Sequence, residues 1–240
     1  MDDVTAGSST SHKPAGLAAG VRLEGVSKSY DTAAGVVTAL RDITWSVPAG
    51  SATAIMGPSG CGKTTLLNML GGMDKPTGGQ IWVADSDVAA MSERALEAYR
   101  LRQVGFVFQF FNLIPSLSAM ENLELPMVLA GIPQDQRRGR ATSLLATVGL
   151  LEKGHKRPDE LSGGEQQRVA ICLALVNDPP LILADEPTGN LDSANVEIIT
   201  NLLVSLSTKH GKTVIVSCHD PKVVEAFPKV YRMRDGVFVE

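Results

Sequence analysis

The sequence of 240 residues predicts an α/β fold, a mainly parallel sheet built around a phosphate-binding loop, with two strands ahead of it and an inserted helical portion. Three observations predict it. Residues 52–56 read as a short buried strand running into Gly57-Pro58-Ser59-Gly60-Cys61-Gly62-Lys63-Thr64-Thr65, which fits G-x-x-x-x-G-K-S/T and leads into an amphipathic helical run. Residues 181–185 and 213–217 are short apolar runs of the kind buried on both faces of a parallel sheet, each leading straight into polar side chains. Residues 118–130 and 134–148 carry helical patterns broken by Gly131-Ile132-Pro133.

In chain order, residues 1–20 are rich in Ser, Thr, Ala and Gly, lack the apolar centre of a signal peptide, and are expected to be a disordered tail ahead of one domain over residues 21–240. Residues 21–30 alternate as a strand with Val21, Leu23 and Val26 inward, and residues 36–47 form a second. Gly35 and Pro48-Ala49-Gly50 are turns. Tyr30 ends the first strand, either as a packed aromatic or as a flat face for a nucleobase. In the phosphate loop Gly57, Gly60 and Gly62 permit dihedrals that turn successive N–H groups inward, and the helix starting near Lys63 points its positive end the same way. Lys63 supplies a mobile charge, Thr64 a hydroxyl for a hard cation such as magnesium, and Cys61 is a small spacer.

Residues 73–79 read as a turn and residues 80–84 as a strand, after which Ser92 caps a helix running to Arg102 with Glu93 and Glu97 in its early turns. Residues 104–109 read as a further buried strand ending at Gln109, whose amide can reach a metal or a water, or simply be a satisfied surface group. Phe110, Phe111, Leu113, Ile114 and Leu117 are a docking patch if exposed and core if covered.

Ser162 is placed to cap the next helix with Glu165 three residues on, a capping box. That leaves Gly163-Gly164 unexplained, since two glycines weaken a helix start, and bare N–H groups there point to a second anion site. Asp185 and Glu186 stand at the carboxyl end of a strand, where open α/β sheets bind ligands, and divide into a magnesium-side ligand and a water-activating base. Gly189-Asn190-Leu191-Asp192 opens a helix carrying Ile198, Ile199, Leu202, Leu203 and Leu206. His219 lies at a third strand exit, and residues 230–239 form a closing hairpin about Asp235-Gly236.

The net charge of −4 gives no support for nucleic-acid binding, the three scattered cysteines fit a reducing setting, and no run of about twenty apolar residues is present to span a membrane. The chain resembles the nucleotide-binding subunit of ABC transporters over nearly all of residues 21–240, with Leu161-Ser162-Gly163-Gly164-Glu165 similar to that family's signature motif. The resemblance implies a P-loop NTPase core with a mainly parallel sheet, an N-terminal antiparallel β subdomain and an inserted helical subdomain at about residues 112–165. It implies an ATPase with ATP and Mg²⁺ as cofactors, the metal held on the Thr64, Gln109 and Asp185 side. Tyr30 becomes the adenine-stacking aromatic, Gln109 the Q-loop residue, Glu186 the catalytic glutamate, Asp192 the D-loop aspartate and His219 the switch histidine. It also implies an ATP-dependent homodimer with each nucleotide between Lys63 of one chain and Ser162 of the other. An integral membrane permease would dock near residues 109–117 and hold the chain peripherally on the cytoplasmic face, with no nucleic acid bound.

Residues 106–115, 121–126 and 188–193 look like the lipoprotein-release and macrolide-export branch, whereas Leu173 and Cys218 depart from residues common in the family. Two other readings share motifs with this one: a soluble ABC ATPase acting on DNA or ribosomes, and a division-associated, nucleotide-gated scaffold.

Overall fold

The computed structural model describes residues 18–33, 35–189 and 191–239. The expectation for residues 1–17 lies outside them. Ordered packing begins ahead of Val21, because Ala19 is buried in the core and the Gly20 carbonyl accepts from the Ala84 N–H at 2.8 Å. The boundary expected at residue 20 therefore moves back by at least those two residues.

The chain opens with β1 (Val21–Thr32) and β2 (Gly35–Val47), both longer than their apolar patterns, and then β3 (Ala52–Met56) and α1 (Lys63–Leu70) flank the phosphate loop. Next come β4 (Gly78–Val83), the short β5 (Ser86–Asp87), α2 (Glu93–Arg102) capped by Ser92, and β6 (Val104–Val107). The inserted helices are α3 (Ala119–Leu129) and α4 (Gln134–Thr147), joined by two 3-10 turns to α5 (Gly163–Leu175). The core resumes with β7 (Leu181–Asp185), α6 (Ser193–Thr208), β8 (Thr213–Cys218), the one-turn α7 (Pro221–Val224), and the hairpin β9 (Lys229–Arg234) and β10 (Val237–Val239).

Two sheets form. β2, β1, β4 and β5 make an antiparallel sheet in that order, while the second runs β10-β9-β3-β8-β7-β6, parallel throughout except for β10. Side chains alternate across the parallel sheet as a two-residue period demands. Ile55, Leu181, Leu183 and Ile215 face a core shared with α1, α2 and the antiparallel sheet, whereas Ala54, Ile182, Ala184, Val214 and Val216 face α5, α6 and α7. A third core, around Leu123, Met127, Leu145 and Val169, joins α3 and α4 to α5.

β6 stops at Val107, two residues short of Gln109, because it is an edge strand whose last pair is Val107 with Ala184. The apolar segment that follows is divided. Phe110 and Ile114 are exposed, whereas Leu113 packs on the helical core. Asn122 fixes this loop, its amide donating to the carbonyls of Ile114, Leu117 and Ser118 and accepting from the Ile114 N–H at 2.7 Å. Leu173 also packs against the helical core, so an apolar residue at that position has a local reason.

Candidate functional site

Parallel pairing sets the site. Met56 stands beside Cys218, Ser217 beside Asp185, and Ala184 beside Val107, so the ends of β3, β8, β7 and β6 share one edge of the sheet. Everything chemically interesting in the last residues of these strands is thereby collected without any further device.

The phosphate loop leaves β3 with the Gly57 N–H donating to the Cys218 carbonyl at 3.4 Å and closes a turn between the Cys61 N–H and the Pro58 carbonyl at 3.3 Å. Cys61 is buried beneath it, as a spacer should be. Gly62 sits at φ 108°, and a Cβ there would lie 2.6 Å from the Ala39 carbonyl, so this residue cannot carry a side chain. The carbonyl comes from an extra residue in β2, where the pairing steps from Lys28 with Leu40 to Ser29 with Thr38 and Ala39 bulges toward the loop. The antiparallel sheet is thus seated on the loop through one bulge. A cavity of about 260 Å³ lies between them, lined by Ala39, Ser59, Gly60, Gly62, Lys63, Thr64, Thr65, Gln109 and Glu186.

Lys63 is buried, its ammonium donating to the carbonyls of Gly57 at 2.8 Å and Pro58 at 3.0 Å and lying 3.4 Å from Glu186 Oε1. The other carboxylate oxygen of Glu186 is 3.3 Å from His219 Nδ1. Three strand exits are therefore joined in one chain of contacts. Glu186 adopts φ 44°, a left-handed backbone in which its N–H donates to both the carbonyl and the hydroxyl of Ser217, at 3.1 and 3.0 Å. The same hydroxyl donates to Asp185 Oδ1 at 2.5 Å. Ser217 holds both acidic residues in place and was missed in the sequence, where the only signal was a hydroxyl closing an otherwise apolar strand. Gln109 Nε2 and Glu186 Oε2 both lie against Gly189, 3.6 and 3.8 Å from where its Cβ would stand. Cys218, next to His219, has its thiol pushed up to about 12 by burial, so it stays a neutral packing group.

Ser162 begins α5 with a complete capping box, accepting from the Glu165 N–H while Glu165 accepts from the Ser162 N–H at 3.0 Å. Glu165 is held further by Lys153 at 2.5 Å. The two glycines differ. A Cβ on Gly164 would fall 2.3 Å from Asn195 Oδ1, whereas one on Gly163 would meet only Phe111 at 3.9 Å and Leu191 at 4.0 Å. Asp192 caps α6 by accepting from the Asn195 N–H at 3.0 Å and from Asn195 Nδ2 at 2.8 Å, and Asn195 Oδ1 accepts from Arg168 at 3.0 Å. Asn195 and Arg168 therefore tie Asp192 to α5, a link no motif announced. Asn190 lies outside the described residues. Tyr30 is not among the residues lining the phosphate-loop cavity; it is 37% exposed, with its hydroxyl donating to Asp74 at 2.7 Å.

A model of the ABC transporter family matches residues 40–189. The chain belongs to the ABC transporter family. This ABC cassette is 43% identical over 217 residues to the lipoprotein-releasing system ATP-binding protein LolD of Treponema pallidum, covering 90% of this chain and 96% of that protein. It is 44% identical over 219 residues to the macrolide export ATP-binding/permease protein MacB of Sodalis glossinidius, 91% of this chain but 33% of that longer protein. Among solved structures, a dimeric post-hydrolysis state of the ATP-binding cassette MJ0796 bound to ADP and Pi matches with a TM-score of 0.86 at 40% identity, over 92% of this chain and 97% of that one. The cassette binds and hydrolyses ATP as a subunit of an ABC transporter.

Proposed function

We propose that two copies of this cassette close around ATP, with the phosphate loop of one facing the start of α5 of the other, and that this closure drives a separate membrane permease. The observation that carries the reading is the chain of contacts from Lys63 through Glu186 to His219 across three strand ends. Lys63 and the loop N–H groups take the phosphates. Glu186, fixed by Ser217 and flanked by a cation and an imidazole, takes the proton of the attacking water. His219 bridges Glu186 and the outer phosphate.

Thr64, Gln109 and Asp185 offer a hydroxyl, an amide oxygen and a carboxylate, an all-oxygen set with one anion that suits Mg²⁺ shared with phosphates. Bound there, the ion neutralises charge on the phosphate oxygens. Gly163 supports the two-copy arrangement, since among the described residues none crowds the place its Cβ would take. Among the described residues no helix is long and apolar enough to cross a membrane, and the permease is read here as a partner of this cassette. The exposed Phe110 and Ile114, beside Gln109, are the surface offered to it, on the cytoplasmic face. The likeness to LolD and to the cassette part of MacB favours outward transport or lipoprotein release over the DNA, ribosome and scaffold readings.

Glu186→Gln is expected to retain ATP binding while turnover falls by about two to four orders of magnitude, the range for loss of a general base. With ATP the variant should sediment as a dimer, and with ADP as a monomer. Near-normal turnover would remove Glu186 from the mechanism, and a monomer under saturating ATP would remove the clamp.

A further inference from the structure

Tyr30 is gripped by two residues that take no part in the site described above. Its hydroxyl donates to Asp74 Oδ2 at 2.7 Å, and Asp74 Oδ1 accepts from Lys28 Nζ at 2.5 Å. The same ammonium lies over the Tyr30 ring, 4.7 Å from its centroid. Lys28 and Tyr30 are two apart on β1 and so share a side of the strand, which lets one cation serve both the carboxylate and the ring face. Further bonds brace the arrangement, with Lys28 Nζ donating to the Lys75 carbonyl and the Lys75 N–H donating back to Asp74 Oδ1, each at 2.7 Å.

Asp74 is anchored to α1. Its own N–H and that of Met73 donate to the Asn68 carbonyl in the last turn of that helix, at 3.4 and 2.9 Å. The grip therefore connects the exposed aromatic to the far end of the helix whose first residues are Lys63 and Thr64. Burial works to raise the Asp74 carboxyl, but the bonds from Lys28 and Tyr30 more than offset it and keep it below its ordinary value. Burial and Asp74 together raise the Tyr30 phenol, against a lowering contact from the Thr65 hydroxyl. Charge and protonation are thus fixed as donor on Tyr30 and acceptor on Asp74 across the neutral range.

We infer that Lys28 and Asp74 are positioning residues for the nucleobase, locking Tyr30 as a one-sided platform with Lys28 on one face and the base of the nucleotide on the other. The inference rests on Tyr30 being the base-stacking residue. A tyrosine free to rotate must give up its side-chain freedom when a base stacks on it, and a ring already held avoids that loss. Asp74 is bonded to Lys28, Tyr30 and the Lys75 N–H, and its role in this arrangement runs through the ring.

The test compares wild type with Asp74→Ala, Tyr30→Phe, Tyr30→Ala and the Asp74→Ala/Tyr30→Ala double variant. Steady-state ATPase kinetics are read together with calorimetric binding of ATP and of inorganic tripolyphosphate, which has no base. Asp74→Ala should raise KM for ATP about tenfold, the size of one charge-assisted hydrogen bond, and leave kcat and tripolyphosphate affinity within about twofold. Tyr30→Phe removes only the hydroxyl and should move KM in the same direction, which preserves the test if Asp74→Ala does not fold. On the Tyr30→Ala background, Asp74→Ala should add nothing. Equal losses for ATP and tripolyphosphate, a full Asp74→Ala effect without the ring, or an unchanged KM in both single variants that spare the ring would overturn the clamp. An unchanged KM in Tyr30→Ala would instead remove the platform, and the clamp with it.

Discussion

Lys63 is buried, and the oxygens around its ammonium explain how it can be. Two loop carbonyls and Glu186 surround the ammonium, so its burial is compensated on every side the structure describes. Those partners are weaker than a polyphosphate, which brings several full charges. Lys63→Ala is expected to lower ATP affinity by roughly one to two orders of magnitude, measured by calorimetry, since it deletes a charged contact to the phosphates. Glu165 provides a pH signature at the same scale. Lys153 first, then the Ser162 N–H, hold its carboxyl below the ordinary 4.5. The folded form is the one with the lowered value, so the contribution is complete above pH 4.5 and drains away as pH falls through the folded-state value. Thermal melts of wild type and Glu165→Gln should therefore differ most near neutrality and converge in acid. A gap that widened in acid would assign Glu165 the opposite role.

At the scale of elements, the start of α5 packs on the start of α6, and its two glycines answer different demands. Gly164 is a packing glycine, because Asn195 occupies the space a Cβ would need and is itself held by Asp192 and Arg168. Gly164→Ala should cost about 1–3 kcal/mol of overpacking, partly offset by the roughly 1 kcal/mol that alanine gains in a helix. Adding Asn195→Ala should recover much of the lost melting temperature. Gly163→Gln starts from an exposed position whose Cβ makes only ordinary contacts with Phe111 and Leu191, and it should melt close to wild type yet abolish the ATP-dependent dimer when combined with Glu186→Gln. A stable dimer in that pair would mean that α5 does not face a second chain. The capping box and the glycine pair, which compete as explanations of one sequence motif, coexist in the fold: Ser162 and Glu165 close the helix end while Gly163 keeps its outer side bare.

For the whole molecule, the parallel sheet acts as the organiser and the helical core around Leu123, Leu145 and Val169 as the arm that carries the start of α5. The phosphate-loop cavity is lined by the loop, Ala39, Gln109 and Glu186, while Ser162 stands at the head of α5 in the other lobe. If each chain carries half of two sites, ATPase activity per chain should rise with chain concentration until dimers saturate. Assays across a dilution series check this, and a specific activity independent of concentration would place a complete site in one copy.

Local chemistry wrote the phosphate loop, the helix caps at Ser92 and Ser162, and the twice-buried strands β7 and β8 directly into the sequence, because each depends on neighbours a few residues away. The family resemblance added roles to Tyr30, Gln109, Asp192 and His219 that their own surroundings in the chain left open. Only the tertiary structure decided that Ser217 serves both Asp185 and Glu186, that a bulge at Ala39 closes on Gly62, that Gly164 makes room for Asn195, and that Asp74 reaches Tyr30 across 44 positions. Each of these joins residues whose meeting is set by strand order and register rather than by spacing along the chain, and pairing between distant strands leaves no periodic mark for a reader of one sequence to find.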